Sequence, residues 1–245
     1  MEKHKNTPNG GRRKRRGSKG LVLWACIPLL AAALVLFLHR PPAPLPGKAP
    51  QAHAAGEAWS LLLVNEWNPV PEGYDVELEQ LSNGEQVDKR IYPPLQEMFD
   101  AARAEGVYPV VVSGYRTAET QQKIMDEKIA EYKAMGYSSA QARAEAKAWV
   151  AQPGASEHQL GLAVDINADG IHSAGNEVYR WLDKNSHRFG FIRRYPPDKI
   201  KTTGVSHEPW HYRYVGVAAA TEMHRKNLCL EEYLNTAEKI KEANG

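Results

Sequence analysis

Two short stretches of this chain combine the residue types that hold a metal ion with one that can use it. The first reads S-E-H-Q-L-G-L-A-V-D and contains His158 and Asp165, and the second reads H-E-P-W-H-Y and contains Glu208 and His211. Three nitrogen or oxygen ligands with one open position are typical of catalytic zinc sites, whereas structural sites usually have four ligands. Glu208 is suited to accept a proton from a water molecule that the metal activates. Together the two stretches predict a zinc hydrolase.

Alternation in the first stretch explains how Asp165 could face an open site. Residues 161–166 are predicted to form a strand, in which successive side chains point to opposite faces. The larger apolar residues share the predicted core face: Leu162, Val164 and Ile166. Gly161 and Ala163 share the other face with Asp165 and leave space beside its carboxylate. His158 lies just before this strand and can fold back toward the same face.

The second stretch is predicted to approach the first from a neighbouring strand. Pro209 restricts Glu208 to an extended conformation, and residues 210–215 read as a strand. Glu208 and His211 can therefore converge with the first stretch on one ion. His207 is an alternative ligand, although its place just before the pre-proline residue favours a loop. The other histidines weighed as ligands lack this context: His172, His187 and His224.

The chain resembles the VanY-type D-alanyl-D-alanine carboxypeptidases, which are zinc peptidases that trim peptidoglycan stem peptides. The resemblance is carried, in the family's order, by L-V-N-E-W-N-P-V-P (63–71), S-G-Y-R-T-A-E-T-Q (113–121), S-x-H-x-x-G-x-A-x-D and E-P-W-H, and covers roughly residues 60–235. It implies that His158, Asp165 and His211 are the Zn²⁺ ligands and that Glu208 is the catalytic base. None of these four positions departs from the family pattern.

Arg116 is the main candidate for contact with the substrate. It follows an apolar predicted strand (108–112) and precedes Thr117, a plausible N-cap for a helix over about 118–135. Its guanidinium can bind a terminal carboxylate or a developing oxyanion in a forked geometry. The resemblance implies that Arg116 and Gln121 act on the substrate. Further candidates for substrate contact are Tyr115, Ser156, Trp210 and Tyr212, of which the last two could instead pack beneath the pocket.

The N-terminal part of the chain is predicted to anchor the rest to a membrane. Residues 1–20 carry eight Lys and Arg against one acidic residue, and residues 21–38 are an uncharged apolar run long enough to span a bilayer. A cleaved signal peptide is the alternative, but no good small-x-small site follows closely, so a retained single-pass anchor is expected. Residues 39–58 are rich in Pro and Ala and predict an extended linker, and residues 59–245 form the predicted peptidase domain.

The charge balance and the cysteine content indicate which partners and which covalent cross-links to expect. Because the whole chain has a formal charge of +2 and its first 20 residues are strongly basic, the remainder is mildly acidic. This balance gives no reason to expect nucleic acid as a partner. The two cysteines, Cys26 in the spanning run and Cys229, are not expected to form a disulfide. We expect a monomer in the cell membrane, with its catalytic domain outside the cytoplasm and acting on stem peptides that end in D-Ala.

The predicted fold class is α+β, with a central, mainly antiparallel sheet and flanking helices, and the resemblance implies a zinc D,D-peptidase or hedgehog-like arrangement. Asn83-Gly84 predicts a hairpin between residues 76–81 and 86–92. Helical spacing predicts a helix that closes at Gly106, and Ser138-x-x-Gln141 predicts a capping box for a helix to about Val150. Asn176 is the predicted cap of the next helix, and a final helix is expected over about 217–239.

The predicted activity is D,D-carboxypeptidase hydrolysis, which releases the C-terminal D-Ala. The same site would also suit an L,D-carboxypeptidase or a D,D-dipeptidase acting on wall peptides, because pocket shape decides between them. A wall-hydrolysing endopeptidase is less favoured because no wall-binding repeats are evident. The alternative from another class is a non-catalytic, zinc-containing wall-binding domain. The presence of Glu208 argues against it, because a binding module needs no proton acceptor beside its metal.

Overall fold

The computed structural model describes residues 58–235. The predicted basic tail and spanning segment, and all of the predicted linker except Ala58, lie outside these residues, as does the end of the predicted C-terminal helix. Within residues 58–235, every helix is too short or too polar to cross a bilayer.

Short strands and helices alternate along the described chain. The strands are β1 (Leu78–Gln80), β2 (Gln86–Asp88), β3 (Pro109–Ser113), β4 (Ala163–Ala168), β5 (Phe191–Tyr195) and β6 (Glu208–Tyr214). The α-helices are α1 (Tyr92–Ala104), α2 (Ala118–Ala134), α3 (Ser139–Lys147), α4 (Gly175–Asn185), α5 (Ile200–Thr203) and α6 (Val217–Lys226). Three 3₁₀ helices complete the set: Ala58–Leu61, Glu157–Leu160 and Ser186–Phe189.

A four-stranded sheet with the order β3-β4-β6-β5 forms the centre of the fold, and all of its neighbouring strands are antiparallel. β1 and β2 form a separate antiparallel hairpin around the predicted Asn83-Gly84 turn, with shorter strands than predicted. The predicted α+β class with an antiparallel sheet is therefore confirmed. The two central strands, β4 and β6, carry the two stretches that were singled out as metal-binding.

The main core lies on one face of this sheet. Apolar side chains of α1 and α4 pack there against Leu162, which precedes β4, and against alternate residues of β4. These core residues are Leu95, Met98, Phe99, Val178, Trp181, Leu182, Leu162, Val164 and Ile166. At the β5 edge, Ile192 points the other way from Phe191 and packs against α6. Burial of these side chains on both faces stabilises the sheet, and it leaves Asp165 on the face away from α1 and α4.

Of the three predicted N-terminal helix caps, two were confirmed and one was wrong. The Thr117 hydroxyl accepts a hydrogen bond from the Thr120 amide, and Ser138 and Gln141 form both bonds of a capping box. Asn176, by contrast, lies inside α4, whose first turn is held by the Glu177 carboxylate accepting from the Ala174 amide at 2.9 Å. The acceptor is three residues into the helix rather than at its start, so the predicted cap at Asn176 was wrong.

The predicted boundaries of three elements also needed correction. α3 ends at Lys147, earlier than predicted, and β4 begins at Ala163 rather than at Gly161. The C-terminal helix is interrupted, because α6 ends at Lys226 and the next residue, Asn227, adopts a left-handed conformation (φ 52°). Residues 230–235 are helical again. A left-handed residue terminates a helix, so the predicted single helix over 217–239 is divided.

Candidate metal centre

His158 is placed by a tight backbone approach between two parts of the chain. It lies in the 3₁₀ helix Glu157–Leu160, which ends at Gly161 with φ +70°. A Cβ at Gly161 would lie 2.8 Å from the Asp88 amide nitrogen, so only glycine fits there without displacement. His158 Nδ1 lies 2.7 Å from the Gly114 carbonyl oxygen. Because a carbonyl only accepts, Nδ1 carries the proton, and the lone pair of Nε2 is free to bind a metal.

Asp165 and His211 face each other across the two central strands. They are direct register partners between β4 and β6. Asp165 Oδ1 lies 3.1 Å from His211 Nδ1 and 3.5 Å from His158 Nε2. One ligand atom from each of the three residues lies within 4.8 Å of the other two. The structure therefore brings together His158, Asp165 and His211, the three predicted ligands.

An irregularity in β6 places Glu208 on the same side as His211. In a regular strand, residues three apart point to opposite faces. Here Arg193 of β5 pairs with Tyr212, but Tyr195 pairs with Glu208, so the regular pairing and alternation of β6 are interrupted between Glu208 and Tyr212. Glu208 and His211 consequently line one cavity, with Glu208 Oε2 3.7 Å from His211 Nδ1.

Burial and neighbouring charges perturb the ionisation of these groups. Burial alone would raise the pKa of Asp165, but His158 and His211 outweigh it and hold the pKa well below its usual range. Burial lowers the pKa of His158. Burial also disfavours charged His211, but contacts with Asp165 and Glu157 raise its pKa to about 9. Because a metal binds deprotonated imidazole, loading the site must release the His211 proton.

Glu208 is the group with the ionisation expected of a general base near neutral pH. Burial is the main cause that raises its pKa to about 7, and the nearby Asp165 charge acts in the same direction. His211 and Arg116 lower the pKa but do not cancel the effect of burial. A carboxyl group with a pKa near the working pH can both take and return a proton.

Arg116 reaches the centre from the turn between β3 and α2. A register shift between Val111 and Ser113 places Ser113 opposite Asp165. The Arg116 guanidinium donates from Nε to Ser113 Oγ at 2.8 Å and from Nη2 to Asp165 Oδ2 at 2.5 Å. Nη1 approaches Gln121 Oε1 at 3.4 Å, and the amide of Gln121 donates to the Ala151 carbonyl at 2.8 Å. Gln121 is therefore a buried support for Arg116.

A cavity of about 430 Å³ opens over the metal-binding group. α2 and the segment after α3 form one of its walls. The wall residues are Gln121, Ile124, Lys128, Tyr132, Trp149, Val150 and Ala151. Tyr195, Val205 and Trp210 also line the cavity. The cavity is large enough for several peptide residues, and its mixed apolar and polar lining is typical of a ligand site.

The remaining predicted contacts are divided between the cavity and the core. Ser156 and Trp210 line the cavity. Tyr115 does not line it; its backbone amide donates to the Gln86 carbonyl at 2.6 Å. Tyr212 is fully buried among core residues, so the predicted substrate contact there needs correction: β6 points this side chain into the main core. The alternative ligand His207 directs Nδ1 toward the Tyr195 carbonyl at 2.9 Å and stands apart from the ligand group.

Sequence reasoning missed a group of buried charges behind the ligands. Glu157, Arg194 and Arg213 have completely buried side chains, and Glu231 joins them through Arg194. Burial alone would raise the pKa of Glu157, but the two guanidinium groups outweigh it and hold the pKa far below its usual range. The only local signal was the position of Glu157 beside His158. Nothing local indicated that two distant arginines would meet it.

The ligand group fits a zinc ion in chemistry and in spacing. Two imidazole nitrogens and one carboxylate oxygen form a donor set known from catalytic zinc sites. Zinc bonds of about 2.1 Å in tetrahedral geometry separate neighbouring ligand atoms by about 3.4 Å. The separations of 3.5 and 3.1 Å around Asp165 Oδ1 are close to that value. The cavity on the remaining side leaves room for water or substrate.

Comparison with known protein sequences identifies close relatives of this chain. The VanY family model, described as D-alanyl-D-alanine carboxypeptidase, matches residues 84–217. A curated relative from Enterococcus faecalis, named D-alanyl-D-alanine carboxypeptidase, is 76% identical over 180 residues, which cover 74% of this chain and 67% of the relative.

Two solved structures extend the similarity to the fold. VanYB in complex with D-alanine-D-alanine is 76% identical, with a TM-score of 0.72, and the match covers 73% of this chain and 98% of that one. A mutant of the vancomycin-resistance D,D-pentapeptidase VanY, solved with Zn(II), is also 76% identical, with a TM-score of 0.71 and coverage of 72% and 99%. The chain belongs to the VanY family of D-alanyl-D-alanine carboxypeptidases.

Proposed function

We propose that this protein is a zinc-dependent D,D-carboxypeptidase that removes the C-terminal D-Ala from peptidoglycan stem peptides. The observation that carries the proposal is the meeting of three metal-binding side chains with Glu208, whose Oε2 lies 3.7 Å from His211 Nδ1, in one cavity. A relative at 76% identity was solved with Zn(II), and another with D-alanine-D-alanine. Zinc suits the three donor atoms of the ligand group, and the carboxylate of D-alanine-D-alanine suits the position of Arg116.

His158, Asp165 and His211 would hold the zinc ion, through Nε2, Oδ1 and Nδ1 respectively. When bound, zinc supplies a Lewis acid that polarises the scissile carbonyl and makes water easier to deprotonate. Gly114 assists from the backbone, because its carbonyl accepts from His158 Nδ1 and keeps Nε2 directed at the ion.

Glu208 is the proposed general base and acid. Its carboxylate takes a proton from the attacking water and then delivers it to the departing D-Ala amine. Its position beside His211 suits both steps, and burial favours return of the proton by raising the pKa of the carboxyl group.

Arg116 binds negative charge at the reacting end of the substrate. Two roles fit its position, namely pairing with the free D-Ala carboxylate and stabilising the tetrahedral oxyanion. Ser113 and Gln121 hold the guanidinium plane by accepting from Nε and Nη1. Ser156 and Trp210 are the further proposed substrate contacts, because both line the cavity.

We also propose that the domain acts as a monomer outside the cytoplasm, held at the cell membrane by an uncleaved anchor at residues 21–38. The support is the uncharged run itself and the basic cluster that precedes it. Fractionation of expressing cells should recover the full-length chain in membranes after alkaline washing. Recovery of a shortened chain in the medium would instead support the cleaved signal peptide.

Substitution of Glu208 tests the catalytic proposal most directly. In Glu208→Ala and Glu208→Gln, release of D-Ala from a synthetic pentapeptide should fall about 100- to 10,000-fold, while zinc content stays at one ion per chain. Glu97→Ala, at an exposed position on α1, is the matched control and should leave both quantities unchanged. Wild-type turnover in the Glu208 variants would refute the assignment of the base. Chelator-resistant turnover in the wild-type protein would refute the role of zinc.

A further inference from the structure

A buried ion network lies directly behind the proposed metal centre. Arg194 donates from Nε to Glu157 Oε1 at 2.8 Å, and Arg213 Nη1 approaches the same oxygen at 2.9 Å. Arg194 also makes two bonds to Glu231, at 2.6 and 2.9 Å. The Glu157, Arg194 and Arg213 side chains are fully buried. Two arginines therefore fix the orientation of the Glu157 carboxylate.

The second oxygen of Glu157 is directed at a proposed metal ligand. Glu157 Oε2 lies 3.7 Å from His211 Nε2, a contact longer than a hydrogen bond. Both atoms are buried, and within residues 58–235 neither has a hydrogen-bond partner. On the opposite edge of the same ring, Nδ1 faces Asp165 Oδ1 at 3.1 Å. The ring of His211 is thus held between Glu157 on one edge and the metal site on the other.

We propose that Glu157 is a positioning residue for the metal centre, whose carboxylate keeps Nε2 of His211 protonated and thereby directs the lone pair of Nδ1 at the zinc ion. The inference rests on the zinc centre of the proposed function. A buried N–H and a buried carboxylate oxygen that face each other are each other's available partner, since leaving either unpaired is unfavourable. Metal-binding histidines commonly donate their second N–H to a carboxylate, which fixes the tautomer and makes the ligand more basic.

The ion network offers a control that separates positioning from charge balance. Glu157 and Glu231 both neutralise Arg194, and both are buried. The contacts of Glu231 lead to Arg194 and to Asn65 Nδ2 at 3.2 Å, away from His211. If Glu157 served only to balance the arginines, loss of either carboxylate would have the same effect on the metal centre.

The experiment compares Glu157→Gln with Glu231→Gln in the full chain. Zinc affinity is measured by competition with a chromogenic chelator, and the Nε2–H resonance of His211 is followed by NMR in the zinc-loaded protein. Glu157→Gln should weaken zinc binding about 10- to 100-fold and shift the Nε2–H resonance. Glu231→Gln should lower the unfolding midpoint but change zinc affinity less than threefold and leave that resonance in place.

Equal losses of zinc affinity in the two variants would overturn the proposal, and so would unchanged affinity in Glu157→Gln. If Glu157→Gln does not fold, Glu157→Asp keeps the negative charge beside the arginines but withdraws it from the ring. It should fold and still bind zinc more weakly than wild type, and wild-type affinity in Glu157→Asp would refute the positioning role.

These measurements do not depend on catalytic activity of the protein. A wild-type protein that binds zinc but releases no D-Ala would refute the proposed function and leave the role of Glu157 to be decided separately.

Discussion

Replacement of Arg116 by lysine tests whether the forked geometry, rather than the positive charge alone, is needed at the reacting end of the substrate. The guanidinium makes three contacts in three directions, to Ser113 Oγ (2.8 Å), Gln121 Oε1 (3.4 Å) and Asp165 Oδ2 (2.5 Å). A single ammonium group can keep the contact with Asp165 but loses the planar fork that reaches the other two acceptors.

The expected loss follows from the contact with the substrate, because Ser113 and Gln121 only orient the guanidinium. Lysine keeps one donor direction and loses the second arm of the fork; a hydrogen bond to a charged group contributes about 2 kcal/mol, so Arg116→Lys should lose about 2 kcal/mol of transition-state stabilisation. Since about 1.4 kcal/mol corresponds to a tenfold change in rate, kcat/KM should fall about 30-fold. The assay is release of D-Ala from a pentapeptide ending in D-Ala-D-Ala, with zinc content measured in the same samples.

The matched control is Arg103→Lys on α1. Arg103 is exposed and makes an ion pair with Asp100 at 3.2 Å, remote from the cavity lining. Exposed ion pairs contribute about 0–1 kcal/mol, so this variant should retain wild-type kcat/KM. If Arg116→Lys with full zinc content loses less than threefold in kcat/KM, the guanidinium fork is not what binds the substrate, and the reasoning fails.

Three further predictions concern stability, ionisation and reactivity. Gly161→Ala should lower the unfolding free energy by more than Gly154→Ala does. Both substitutions introduce left-handed strain of about 1–2 kcal/mol, but only the new Cβ at position 161 would lie 2.8 Å from a backbone nitrogen. Equal losses in chemical unfolding would contradict this. In the metal-free protein, carbon-13 NMR should find the pKa of Glu208 near 7, because burial disfavours the carboxylate. Zinc should lower that pKa because a cation favours the charged form. A pKa near 4.5 without metal would refute the effect of burial. The buried thiol of Cys229, whose pKa burial raises to about 11, should resist alkylation at pH 8 until the protein unfolds, as read by peptide mass spectrometry; rapid labelling of the native protein would contradict its burial.

Local patterns in the chain predicted the parts of the fold that depend on neighbouring residues. Hydroxyl caps at Thr117 and Ser138 mark helix starts because the side chain and the amide that it serves are three residues apart. Alternation placed Val164 in the core and Asp165 on the opposite face because this pattern repeats every two residues. The types and order of the metal-binding residues could be read in the same way.

Local patterns failed where the partner lies far along the chain. Alternation alone would separate Glu208 from His211, and only the irregular pairing of β6 with β5 places both in the cavity. Tyr212, in contrast, follows regular alternation from its neighbour His211 and points into the core opposite Val164. Strand irregularities depend on the register with another strand, so a single segment does not reveal them.

The sequence alone identified the groups that carry the chemistry of this protein, because they lie in a few short motifs: two imidazoles, an aspartate, a glutamate and an arginine. Tertiary structure decided how those groups are held. Arg194 and Arg213 meet Glu157 behind His211, although they lie 37 and 56 positions away along the chain. Buried charges persist only when opposite charges neutralise them, and for groups so far apart in sequence that pairing arises only when the sheet assembles.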